Sequence, residues 1–163
     1  METAILTPST TPNADVLLNA YYQIVRFHLT TEERLAALEA DLGTKLPAEY
    51  ASFLKQHRAQ ENMNAAHAAN PDYWDVHALY EFADGPIHLQ IDKVYRLVAD
   101  TLPSSLLPIA EDSARNFYCL VMEGPKKGQI VFLNGERKGG KHEAENVAPS
   151  FAAFLQGLIR REI

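Results

Sequence analysis

Two apolar runs, "NFYCLVM" (residues 116–122) and "QIVFLN" (residues 129–134), flank the segment Glu123-Gly124-Pro125-Lys126-Lys127-Gly128. The runs are rich in aromatic and β-branched residues, and a Gly-Pro break followed by a second glycine cannot carry a helix through. They are therefore strands joined by a hairpin turn. An isolated two-stranded hairpin is barely stable in water, so it needs more strands or covering helices. The short run "LLPIA" (residues 106–110) is a further strand or extended segment leading into the hairpin.

Covering helices are legible on both sides. In "TTEERLAALEADLG" (residues 30–43), Thr30 or Thr31 caps, Glu32 and Glu33 suit the positive end of the helix dipole, and Gly43 is a stop. Leu35, Leu38 and Leu42 form its apolar stripe. In "LPAEYASFLKQH" (residues 46–57), Pro47 fits the first turn, and Tyr50, Phe53, Leu54 and His57 share one face. A tight turn between these helices predicts a helix pair.

Apolar spacing also predicts a short helix from Asp15 to about His28, one from Gln90 to Thr101 and one over residues 148–163. The apolar sides of the last two are expected at Val94, Tyr95, Leu97 and Val98, and at Phe151, Phe154, Leu155, Leu158 and Ile159. Ala-rich "MNAAHAA" (residues 63–69) suggests one or two helical turns, Val76–Phe82 a strand, and "GERKGGKHEAEN" (residues 135–146) a glycine-rich connection. The expected fold is α+β: a small, largely antiparallel sheet with a central hairpin, an N-terminal helix pair and a C-terminal helix. Residues 1–12, rich in Thr and Pro, are expected to form a flexible tail, with residues 13–163 a single domain.

The formal net charge of -6 disfavours direct nucleic-acid binding, which relies on Lys and Arg neutralising phosphates. The single cysteine, Cys119, precludes an intrachain disulfide. No apolar run is long enough to span a membrane and the N-terminus lacks a basic leader, so a cytoplasmic location is expected.

Motifs for chemistry are sparse. None of the six histidines falls in an H-x-x-x-H or H-E-x-x-H pair, and no phosphate-binding or nucleophile-elbow motif occurs. Cys119 sits mid-strand, where a thiol packs as a small apolar group. These observations predict no enzyme activity, no cofactor and no metal site. Glu111 and Asp112 are adjacent, so on extended chain they point apart, a poor geometry for a carboxylate dyad.

Two segments remain as candidate contact surfaces. The first is the 58–75 stretch, where Tyr73 and Trp74 lie beside Asp72 and Asp75, since Tyr and Trp are enriched where proteins bind. Trp74 closes over the core if it is not part of a contact. The second is the bend Glu111, Asp112, Ser113, Ala114, Arg115 and Asn116, which feeds the hairpin strand and offers acidic groups to a partner. Arg115 is expected to pair with an acidic neighbour. The candidate partner-binding residues are thus Tyr73, Trp74, Asp75, Glu111, Asp112, Arg115 and Asn116.

"LEADLGTKLPAEYASFLKQH" resembles the opening helix pair of the SUKH superfamily, the bacterial immunity proteins related to a yeast cell-wall synthesis regulator. "LPSSLLPIAEDSARNFYCLVMEGPKKGQIVFLNGE" is similar to that family's middle, and "VAPSFAAFLQGL" to its closing helix. The loops depart from the family pattern: Arg58-Ala59-Gln60-Glu61-Asn62 replaces an Asn-Gly-Gly-like turn, and Leu133-Asn134-Gly135-Glu136 replaces a Trp-Asp-His-Glu ending. The resemblance implies a non-enzymatic protein that occludes a cognate toxin domain, often a nuclease or other cytosol-acting effector; a monomer or weak dimer is expected. A regulatory scaffold binding a cellular protein is the alternative.

Overall fold

The computed structural model describes residues 31–56, 64–82, 87–103, 105–134 and 144–160. The expected helix over residues 15–28 and the N-terminal tail lie outside them, as does His57.

The helix pair is α1 (Thr31–Leu42) and α2 (Ala48–Gln56). Gly43 ends α1 at φ 75°, a left-handed conformation that a Cβ disfavours, and its N–H returns to the Glu39 carbonyl at 2.9 Å. The Glu39 carboxylate accepts from the Leu46 N–H at 2.7 Å, closing the turn into α2. Leu35, Leu38, Tyr50 and Leu54 are buried, as their spacing requires.

The chain then builds two sheets rather than one. The larger has five antiparallel strands side by side in chain order: β3 (Ala78–Leu79), β4 (Leu106–Glu111), β5 (Phe117–Val121), β6 (Ile130–Leu133) and β7 (Ala144–Ala148). The smaller has the order β2-β1-β8, from β1 (Ala65–His67), β2 (Asp75–Val76) and β8 (Leu158–Arg160), all antiparallel. The expected strand over Val76–Phe82 is divided between them. Val76 pairs with Ala65 in the small sheet and Leu79 with Ala110 in the large one.

The expected hairpin is β5–β6, in register from Phe117 opposite Leu133 to Leu120 opposite Ile130. Both faces of β4, β5 and β6 are buried, whereas β7 opens on exposed residues. Tyr118, Leu120, Ile130 and Phe132 belong to the main core, while Cys119, Val121, Val131 and Leu133 form a second cluster with Leu106. Apolar side chains on both faces of β5 and β6 explain why these strands read as continuous runs rather than alternating ones. The pairing of β4 with β5 shifts between Pro108 and Ala110, a bulge at a residue with no N–H to donate.

Helix α3 (Ile91–Val98), followed by a 3-10 turn over Ala99–Thr101, connects β3 to β4. Its buried side is Ile91, Asp92 and Val94, whereas Leu97, expected on the apolar side, is 83% exposed. Ile91, Val94, Tyr95 and Val98 follow the i, i+3, i+4, i+7 row, and Leu97 falls off it. Arg34 of α1 is buried against this region. It donates to Asp92 Oδ1 at 3.0 Å, to Gln90 Oε1 at 3.3 Å and to the Phe82 carbonyl.

Three further expectations are corrected. Residues 65–67 are a strand, not a helical turn: β1 is the central strand of the small sheet, and pairing on both sides outweighs alanine's helix propensity. Residues 144–146 open β7 rather than extending the connection. The C-terminal helix is only α4 (Phe151–Gln156), after which Gly157 leads into β8, so Leu158 and Ile159 are strand residues. Ser150 caps α4, its Oγ accepting from the Ala153 N–H at 3.0 Å. Glu49 Oε1 adds acceptors for the Phe151 and Ala152 N–H groups, tying α2 to α4.

Candidate functional site

The two candidate segments, distant in sequence, meet at one corner of the molecule. Residues 68–74 form the turn between β1 and β2, and residues 112–116 form the bend between β4 and β5. Asp75 Oδ2 accepts from the Ser113 N–H at 3.0 Å and joins them. The Asp75 carbonyl accepts from the Tyr118 hydroxyl at 2.7 Å, fixing the same residue to the central strand.

The 112–116 bend is organised around Asp112. Its Oδ1 accepts from the Ala114 N–H at 2.9 Å and the Asn116 N–H at 2.7 Å, and its Oδ2 from Asn116 Nδ2 at 3.0 Å. Arg115 takes φ 66°, which lets the chain reverse within those bonds. Glu111 Oε1 accepts from the Tyr80 hydroxyl at 2.7 Å. Glu111 and Asp112 are only 4% and 5% exposed. The acids expected to face a partner are therefore consumed within the fold, and what the bend exposes is Ser113, Ala114 and Arg115. Arg115 forms no ion pair among the described residues.

The 68–74 turn presents Asp72 and Tyr73. Tyr73 is 43% exposed, yet its ring lies edge-on to Phe132 at 5.7 Å and its hydroxyl donates to Glu145 Oε1 at 3.1 Å. Glu145 was not legible as a site residue, because it falls in what reads as a glycine-rich connection; only the β6–β7 pairing brings it beside Tyr73. Trp74 is buried, with ring contacts to Tyr73, Phe132 and His67. It closes over the core, and its Nε1–H has no acceptor among the described residues.

His67 anchors the base of this turn. Its Nδ1 accepts from the Ala69 N–H at 3.2 Å, and its ring stacks on Phe154 at 5.4 Å. Burial lowers its pKa, opposed in part by the Phe154 carbonyl. Burial likewise raises the Tyr80 hydroxyl, helped by Glu111, and the Tyr118 hydroxyl, helped by Asp112 and Asp75. Cys119 is held as a thiol by burial alone.

A family model, the SMI1 / KNR4 family (SUKH-1), matches residues 29–157. The chain belongs to this family. The match takes in the helix pair, both sheets as far as β7, and α4, so SUKH membership covers the elements that hold the corner. The chain is also similar to the SPbeta prophage-derived uncharacterized protein YokK of Bacillus subtilis (strain 168), with 25% identity over 154 residues. That alignment spans 83% of this chain and 78% of the relative. No solved structure matches it. The two antiparallel sheets with flanking helices agree with an α+β SUKH fold. No helix among the described residues is long and apolar enough to cross a membrane.

Proposed function

We propose that this SUKH chain is a non-enzymatic immunity protein that neutralises a cognate bacterial toxin domain by direct occlusion. Family membership over residues 29–157 is the observation that carries this reading. The corner gives it a physical basis. Two turns on a rigid scaffold are the usual place for partner choice, because they vary without disturbing the core. The contact face is assigned to Tyr73, Asp75, Ser113, Arg115 and Glu145, while Trp74, Glu111, Asp112 and Asn116 hold that face in shape.

Four of the buried groups are unsuited to nucleophilic or general-base chemistry. Tyr50, Tyr80, Tyr118 and Cys119 are all held protonated by burial, and a nucleophile or base needs the opposite. The test is affinity for the C-terminal domain of a large secreted-type protein encoded beside this chain, with growth rescue on co-expression. Nanomolar binding with rescue is expected. The absence of both binding and rescue would overturn the immunity reading in favour of a regulatory scaffold for a cellular protein.

A further inference from the structure

An exposed tyrosine ordinarily keeps several orientations, and ordering it on binding costs part of the affinity. Tyr73 has lost that freedom already. Phe132 and Trp74 support its ring, at 5.7 and 6.1 Å between centroids, and Glu145 holds its hydroxyl. The ring is a fixed, half-exposed aromatic platform. Beneath it the buried Trp74 Nε1–H lacks an acceptor among the described residues, an expense that an isolated domain normally avoids.

The acids around the platform are paired with no cation among the described residues, and the one exposed cation of the corner, Arg115, lies on the neighbouring bend. Asp72 and Glu145 are exposed and Asp75 partly so. On the helix side, acids are matched: Glu32 pairs with Lys55 at 3.2 Å and Asp41 with Arg96 at 3.1 Å. At the corner, Glu145 has a hydroxyl and Asp75 a backbone N–H, and neither they nor Asp72 meets a Lys or Arg among the described residues.

A flat aromatic face bordered by carboxylates that meet no Lys or Arg among the described residues suits one side chain best. A guanidinium stacks on the ring while its N–H fork engages a carboxylate, whereas an ammonium gives up the planar stacking and the fork. Resting on the immunity reading, we infer that the partner meets this corner through an arginine-bearing basic segment, with Tyr73 as the platform and Glu145 and Asp72 as the anionic rim.

The probe is hexa-arginine, titrated at low salt into the full-length ¹⁵N-labelled chain, with hexa-lysine and hexa-glutamate alongside. Expected are amide shifts at Tyr73, Ser113 and Glu145 with hexa-arginine, about fivefold weaker binding of hexa-lysine, and no response to hexa-glutamate. Glu145→Gln, which keeps an acceptor for the Tyr73 hydroxyl, should weaken hexa-arginine binding by about fivefold, as should Tyr73→Leu. Equal response to both basic peptides, shifts confined to Glu32 and Glu33, or no shift would each overturn the inference. The peptide result is independent of rescue. Rescue without an arginine preference overturns only this inference, and an arginine preference without rescue overturns only the immunity reading.

Discussion

Asp75 and Ser113, 38 positions apart, are joined by a 3.0 Å hydrogen bond from a backbone N–H to a carboxylate. That bond binds the turn after β1 to the bend before β5, so the two candidate loops act as one surface. Removing the acceptor in Asp75→Ala should speed amide exchange at Ser113 and cost about 1–2 kcal/mol in urea unfolding. Asp75→Asn, which keeps an acceptor, should cost less than half of that.

Asp112 is structural. It satisfies two backbone N–H groups and a side-chain amide within the bend, so Asp112→Ala should destabilise by about 2–3 kcal/mol. Asp112→Lys should lower the thermal midpoint at least as much, and a loss of partner binding in that variant would come from unfolding of the bend. An unchanged midpoint would refute the assignment.

Arg34 is buried with Asp92, their side chains 6% and 11% exposed and 3.0 Å apart. Arg34→Met strands the Asp92 carboxylate and should cost about 3–5 kcal/mol. The double variant Arg34→Met/Asp92→Leu removes both charges and should recover a large part of that loss, measured by a double-mutant cycle in urea.

Gly157 is defined by a neighbour. A Cβ built there would lie 2.3 Å from His67 Nε2. Gly157→Ala should therefore push α4 and β8 away from the His67 ring and cost about 1–3 kcal/mol, although alanine favours the backbone region Gly157 occupies. Thermal melts of the single variant and of Gly157→Ala/His67→Ala test this, the second change relieving the clash.

His67 makes stability depend on pH. Its folded pKa is lowered from 6.5, chiefly by burial, so below about pH 6.5 the unfolded chain binds a proton that the folded chain does not. The unfolded state then carries more protons, and stability falls with falling pH from about 6.5 down to the folded pKa, levelling off below it. His67→Asn keeps an acceptor for the Ala69 N–H and should flatten that part of the curve in urea melts taken across the window.

The sequence by itself determined the parts whose cause is local. Apolar spacing with a glycine stop set α1, and the Gly-Pro break set the β5–β6 hairpin. It also placed Tyr73, Asp75 and the 112–116 bend among the contact candidates, because aromatics and acids stood beside turn residues. Tertiary structure decided what depends on distant partners. Ala65–His67 became a strand because β2 and β8 flank it, and Leu158–Arg160 became its edge rather than more helix. Leu97 was left in water because α3 rests on Ile91 and Val94. Glu111 and Asp112 turned inward because Tyr80 and the bend's own N–H groups were there to receive them, and Glu145 reached Tyr73 only through strand pairing. Side-chain spacing encodes which face of an element is apolar, but not which element that face will meet.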